Sequence, residues 1–243
     1  MGMLPVLPQS SIQTMKIVIL CNGDFPSASQ PLLAMAEADH IVCCDGAYDT
    51  LMRHIPDIRT PLTVIGDLDS ILGCDGIEVI RIDEQDTNDQ TKAFRYAHAN
   101  WPNSTITILG ATGKREDHTL GNISLLADYL EMLSANSHND SSTRRNPVIQ
   151  PTDNPPVCMM TDYGIFTPID RSTVFTSFPR QQVSIFAISG VCRVTTAGLQ
   201  YPLRGDYLPR WWQGTLNASL NNVFTVAPRD GIAIVFQTYD PKL

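Results

Sequence analysis

Asp67 and Asp69 stand two residues apart in the stretch Gly66-Asp67-Leu68-Asp69-Ser70. In extended chain, residues i and i+2 point to the same side, about 6.5–7 Å apart. Two carboxylates so placed suit a hard cation such as Mg²⁺, which takes one or two carboxylates and keeps its other positions for water and phosphate oxygens. The same pair also suits an Asp-rich turn whose side chains bond local amides. Nine of the chain's 20 Asp residues fall between Asp45 and Asp89, against only 5 Glu in the whole chain. Asp is a poor helix former and a good turn, cap and metal-ligand residue, so this cluster marks loops rather than helices.

Two further stretches add charge of both signs. Asp86-Thr87-Asn88-Asp89-Gln90-Thr91-Lys92 reads as a helix start, with Thr87 as N-cap and Gln90 as its capping-box partner. Acidic groups there complement the helix dipole, yet a helix N-terminus beside Lys92 also suits an anion, and Asp89 suits a metal ligand set. Gly110-Ala111-Thr112-Gly113-Lys114-Arg115-Glu116-Asp117 is a glycine-bearing turn with two adjacent cations. Its freed amides can cradle a phosphate, or it can be a tight loop with solvated basic residues. It is no Walker A loop, because Ile108 stands where the first Gly would be, and no G-x-G-x-x-G occurs. Acidic metal ligands beside amide and Lys/Arg phosphate donors are the parts of Mg²⁺-assisted phosphoryl-type transfer. No G-x-S-x-G or H-E-x-x-H competes, and His118 at a helix start reads as capping or packing.

These loops need a scaffold that brings them together. From Lys16 onward, nearly continuous apolar runs at 16–21, 41–44, 62–65, 78–82 and 105–109 alternate with helical patterns at 30–38, 47–54, 89–100 and 117–132. That alternation predicts a Rossmann-like α/β domain with a mainly parallel sheet, whose ligands bind where the strands end. Asn22-Gly23-Asp24 and Asp45-Gly46-Ala47 are the first two strand exits; five converging exits define a site. Residues 134–156 turn polar and read as a long loop. Beyond it come short strands at 157–161, 164–168, 172–177, 182–188, 191–196, 215–216, 223–226 and 232–237, an all-β sandwich pattern. We divide the chain into an extension (1–15), an α/β catalytic domain (16–165) and a β-sandwich (166–243).

A formal charge of −8 argues against a general nucleic-acid or membrane-surface binder, which would show a basic face. The six cysteines form no C-x-x-C pair, so neither a zinc site nor a disulfide framework is expected. No apolar run approaches the roughly 18 residues of a membrane span. The start of the chain lacks the pattern of an export signal, and a cytoplasmic protein with free thiols is the expectation.

Four blocks together resemble the thiamine pyrophosphokinase (thiamine diphosphokinase) family: Asp-Gly-Ala at 45–47, Gly-Asp-Leu-Asp-Ser at 66–70, Asp-Thr-Asn-Asp-Gln-Thr-Lys-Ala at 86–93, and the glycine-bearing stretch running on to Asn122. Residues 194–203, Val-Thr-Thr-Ala-Gly-Leu-Gln-Tyr-Pro-Leu, resemble its thiamine-binding segment. The resemblance implies transfer of the β,γ-diphosphate of ATP to the hydroxyethyl oxygen of thiamine, giving thiamine diphosphate and AMP. It implies a homodimer with active sites between subunits. Asp45, Asp67, Asp69 and Asp89 would be the Mg²⁺ and catalytic carboxylates. Gln85, Thr91, Lys92 and Arg115 would contact phosphates, while Asp117 and Asn122 would shape the nucleotide pocket. Thr195 and Tyr201 would meet the aminopyrimidine, and Asn221 stands in a Leu-Asn pair where the family has Ser-Asn. Two alternatives use the same acidic cluster: a Mg²⁺-dependent phosphohydrolase or nucleotidyltransferase on another small substrate, and a non-catalytic thiamine or nucleotide binder.

Overall fold

The computed structural model describes residues 14–66, 77–82, 84, 86–137 and 155–240. Asp67, Asp69 and Gln85, and most of the polar stretch at 134–156, lie outside the described residues. Apolar β-branched runs form β1 (Lys16–Leu20), β2 (His40–Cys44), β3 (Leu62–Gly66), β4 (Glu78–Arg81), β5 (Thr105–Leu109) and β6 (Val157–Met160), and neighbours among these six pair in parallel in the order β6-β5-β1-β2-β3-β4. The step from β1 to β2 runs one way and β5 returns to the other side of β1. The switch point therefore lies between β1 and β5, where an open sheet forms its crevice.

Four helices cover the parallel strands: α1 (Ser29–Ala36), α2 (Ala47–His54), α3 (Asp89–Asn100) and α4 (Glu116–Ser137). One face packs Ile17, Ile19, Ile106 and Ile108 against Phe94 of α3 and Leu126 and Tyr129 of α4. The other packs Val18, Leu20, Ile41 and Cys43 against Met35 of α1 and Leu51 of α2. Because both faces are covered, the strands read as unbroken apolar runs rather than alternating ones. The Phe94 and Tyr129 rings stack at 4.0 Å, locking α3 to α4.

The sheet does not stop at the parallel strands. β7 (Gly164–Ile169) adds antiparallel to β6, then come β14 (Ala233–Thr238), β9 (Gln182–Ala187) and β12 (Asn217–Ala218), making ten strands in one sheet. A second sheet of four strands, ordered β11 (Arg204–Tyr207), β10 (Arg193–Ala197), β13 (Val223–Arg229) and β8 (Thr173–Thr176), lies over that antiparallel end. Val183, Ile185 and Val235 of the long sheet meet Phe175, Val194, Phe224 and Val226 of the short one in a single apolar core. α4 covers the opposite face of the same region, where Ala127 and Leu130 pack with Ile232. No described helix is long and apolar enough to cross a membrane.

Three local expectations change. α4 continues to Ser137, so the first residues of the polar stretch at 134–156 are helical. Residues 215–216 are not a strand; a 3-10 turn over Trp211–Gly214 precedes β12. β11 was not foreseen, because Arg204, Asp206 and Tyr207 of this edge strand are all exposed and leave no alternation to read.

Candidate functional site

β3 ends at Gly66 against β2, and a Cβ on Gly66 would stand 3.0 Å from the Asp45 Cβ. Glycine thus lets the third strand exit close on the second. Asp45 itself has φ 42, a left-handed conformation that Asp tolerates better than most residues. Its amide donates to the Ile65 carbonyl at 2.8 Å and its carbonyl accepts from the Tyr48 amide at 3.2 Å. The Asp45 Oδ1 is buried with no hydrogen-bond partner among the described residues. A buried carboxylate oxygen left bare is costly unless a cation or donor meets it.

α3 starts one residue later than the capping box predicted. Asn88 is the N-cap, with extended backbone (φ −78, ψ 165) and its Oδ1 accepting from the Thr91 amide at 2.9 Å. Asn outranks Thr at this position. Thr87 instead donates to Glu84 Oε2 at 2.9 Å, and Gln90 turns inward, donating to the Asn122 carbonyl and the Tyr129 hydroxyl, each at 3.3 Å. Thr91 is buried, its hydroxyl 2.9 Å from that of Tyr129. Lys92 is only 5% exposed, yet its ammonium reaches Asp89 Oδ1 at 3.3 Å, and the Asp89 side chain is 44% exposed. A buried ammonium with one half-exposed carboxylate beside it keeps donors for an anion from outside.

The third piece is the turn after β5. Gly110 and Gly113 take φ +62 and +104, and a Cβ on Gly113 would collide with the Asp24 carboxylate. The turn is sewn to the β1 exit by Gly23 N to Gly110 O at 2.6 Å and Asp24 N to Thr112 O at 2.8 Å. Lys114 Nζ donates to Asn22 Oδ1 at 3.2 Å. Arg115 grips Asp117 with two bonds of 3.1 and 2.6 Å at the exposed rim. Their hydrogen bond holds the Asp117 carboxyl below the usual carboxylate range and raises Arg115 further.

The start of α3 and the turn after β5, with the β1 exit, surround a cleft of about 500 Å³ at the β1/β5 switch point, lined by Asn22, Asp89, Lys92, Lys114, Arg115 and Asn122 among others; Asp45 does not line it. Cys21 and Cys44 also line it. The Cys44 thiol donates to the Asp89 carbonyl at 3.5 Å, and the neighbouring Cys21 thiol and burial push it well up. Among the described residues no group of three or more His, Cys, Asp and Glu is arranged to hold a metal ion.

Thr195, Tyr201 and Asn221 lie elsewhere, on the β-sandwich, and none of them lines this cleft. Thr195 sits on the exposed face of β10. Asn217 clamps the Tyr201 backbone, accepting from its amide at 3.0 Å and donating to its carbonyl at 2.7 Å, and leaves the ring 61% exposed. Asn221 is exposed, and its backbone is held by the Ser219 hydroxyl at 2.8 Å. Sequence reasoning missed Asn88 and Tyr129 as organisers of the cleft. For Asn88 the signal was present, since Asn is a preferred N-cap, but for Tyr129 nothing in its helical surroundings sets it apart.

Two family models match: the catalytic domain of thiamin pyrophosphokinase over residues 32–135 and its substrate-binding domain over residues 164–236. The chain belongs to the thiamin pyrophosphokinase family. A curated relative, thiamin pyrophosphokinase 1 of Caenorhabditis elegans, is 25% identical over 103 residues, 39% of this chain and 42% of that protein, so the match spans less than half of its length. Solved structures of the family share the fold. The Bacillus subtilis thiamine pyrophosphokinase superposes with TM-score 0.69 at 20% identity, covering 93% of this chain and all of that one. The yeast thiamin pyrophosphokinase gives 0.68 at 17% identity, covering 93% and 87%.

Proposed function

We propose that this protein transfers the β,γ-diphosphate of ATP to the hydroxyethyl oxygen of thiamine, releasing AMP and thiamine diphosphate. The observation that carries the reading is the cleft at the β1/β5 switch point, where a buried ammonium, the turn freed by Gly110 and Gly113, and Lys114 and Arg115 face one cavity. That is a polyanion site, and family membership supplies the polyanion's partner. Lys92 and Arg115 bind phosphate oxygens, Asn122 and the Arg115–Asp117 pair shape the nucleotide side, and Gln85 and Thr91 support them. Thr91 acts through its buried bond to Tyr129, which fixes the first turn of α3.

Asp67, Asp69 and Asp89, with Asp45, are the residues we assign to Mg²⁺. The bare, buried Asp45 Oδ1 beside Gly66 fits such an ion, since a carboxylate oxygen in that setting lacks any other partner among the described residues. When bound, the ion neutralises the charge gathering on the polyphosphate. Asp67 or Asp69 accepts the proton of the attacking hydroxyl. Thr195, Tyr201 and Asn221 receive thiamine, with the Tyr201 ring as a stacking face for the aminopyrimidine. Because these three do not line the cleft of their own chain, we assign the working unit to a homodimer in which one protomer's cleft meets its partner's β-sandwich. The setting we assign is the cytoplasm, where ATP and Mg²⁺ are plentiful.

Product analysis tests the reaction. With ATP, Mg²⁺ and thiamine, AMP and thiamine diphosphate should form in equal amounts. Release of inorganic phosphate or pyrophosphate without thiamine diphosphate would replace this reading with a hydrolase or nucleotidyltransferase.

A further inference from the structure

The cleft is built from two separate pieces, the first turn of α3 and the turn after β5. A polyphosphate can engage both only if their spacing is fixed. Main-chain bonds sew the β5 turn to the β1 exit, but among the described residues none joins it to the start of α3. Side-chain amides make that join. Asn122 Nδ2 donates to the Ala111 carbonyl at 2.8 Å, pinning the turn, and Asn122 Oδ1 accepts from Asn88 Nδ2 at 3.0 Å. The other end of the Asn88 carboxamide, Oδ1, caps α3 through the Thr91 amide at 2.9 Å.

Asn88 therefore does two things with one group. Ser or Asp would cap the helix as well and Thr nearly so, but none offers an acceptor for Thr91 together with an N–H donor for Asn122. The residue type exceeds what the helix end requires.

We propose that Asn88 is a positioning residue for ATP: its amide pair with Asn122 sets the distance between Asp89 and Lys92 on one side of the cleft and the amides and cations of 110–115 on the other. The proposal rests on the reading of this cleft as the triphosphate site. Asn88 acts through Asn122 and α3, and the bridge is tightest in consequence when a polyanion must touch both pieces at once.

Asn88→Ser and Asn88→Thr keep a cap and remove the Asn88–Asn122 bond, leaving the weaker Gln90 bond to the Asn122 carbonyl at 3.3 Å, while Asn88→Ala removes both cap and bond. Steady-state kinetics with purified full-length protein, varying ATP at saturating Mg²⁺ and thiamine, should show the ATP KM raised about 3–10-fold in the Ser and Thr variants, the range of one lost hydrogen bond. Their kcat and thiamine KM should stay within about twofold of the parent, because the loss falls on binding both pieces of one substrate. Their melting temperatures should match the parent's, and only Asn88→Ala should melt earlier. An unchanged ATP KM in both capping variants, or a rise confined to Asn88→Ala, would overturn the proposal and leave Asn88 a helix cap. A parent protein that forms no AMP from ATP and thiamine would instead remove the reading of the cleft, and the positioning role with it.

Discussion

The two halves of the molecule hold their functional residues in opposite ways. In the α/β half the charged and amide groups of the cleft are wired in pairs: Lys92 to Asp89, Lys114 to Asn22, Arg115 to Asp117, and Asn88 to Asn122. In the β-sandwich the backbone is clamped and the side chain stays exposed: Asn217 holds the Tyr201 backbone, while the Tyr201 hydroxyl accepts from its exposed neighbour Gln200 at 3.3 Å. A site for a multiply charged substrate needs its charges held apart and oriented before the substrate arrives. A face for a flat organic ring needs only a rigid platform, and its other wall can come from a second protomer.

The largest effect should follow from breaking the wired half. Lys92→Met keeps the buried stem and removes the charge, so kcat/KM for ATP should fall by at least about 100-fold, the scale of losing one preorganised electrostatic contact. Circular dichroism should show an intact fold, and a loss under tenfold would place the phosphates elsewhere. Asp45→Asn should raise the Mg²⁺ concentration for half-maximal rate by about tenfold, near 1.4 kcal/mol of binding. A magnesium titration of the rate reads that shift, and no change would take Asp45 out of the ion's ligand set.

On the sandwich side, Tyr201→Ala should raise the thiamine KM by about 2–10-fold, matching a stacking contact of about 0.5–1.5 kcal/mol, with the ATP KM unchanged. Equal rises for both substrates would dissolve the contrast between the halves. Tyr129→Phe removes a buried hydroxyl that meets Thr91 and Gln90 and should cost about 1–3 kcal/mol of stability, read by denaturant unfolding. Its effect should appear in the ATP KM and not in that of thiamine.

The smallest effect concerns pH. Arg115 holds the Asp117 carboxyl below its ordinary range, so the pair's contribution is complete above the unfolded carboxylate's value and disappears as pH falls through the lowered one. Both side chains are exposed at the rim, where solvent screens them, so the stability change is slight. Carboxyl titration by NMR should show the Asp117 midpoint rising toward the usual range in Arg115→Gln.

Most of the scaffold was legible because its signals are local. Strands covered on both faces by helices appear as apolar runs, and glycines mark the turns where Gly110 and Gly113 need positive φ. The wiring was not legible in the same way. Asn88 is the better cap of the pair with Thr87, but its bond across the cleft to Asn122 leaves no local signal. Edge strand β11 escaped because nothing on either of its faces is buried deeply enough to impose a pattern. The continuity of the long sheet through β6 and β7 was likewise unreadable, since a parallel-to-antiparallel step between neighbours depends on strand pairing and not on composition.

The central claim is that a cleft of one protomer works with the β-sandwich of its partner, and complementation tests it directly. Lys92→Met and Tyr201→Ala proteins would be assayed at thiamine well below its KM, each alone and as an equal mixture unfolded and refolded together. A mixed dimer carries one site with both mutations and one with neither, so about a quarter of wild-type activity should return for random pairing with two-fold symmetry. If each site lay within one chain, every site in the mixture would carry a lesion, and a mixture no more active than the mean of its components would contradict the account.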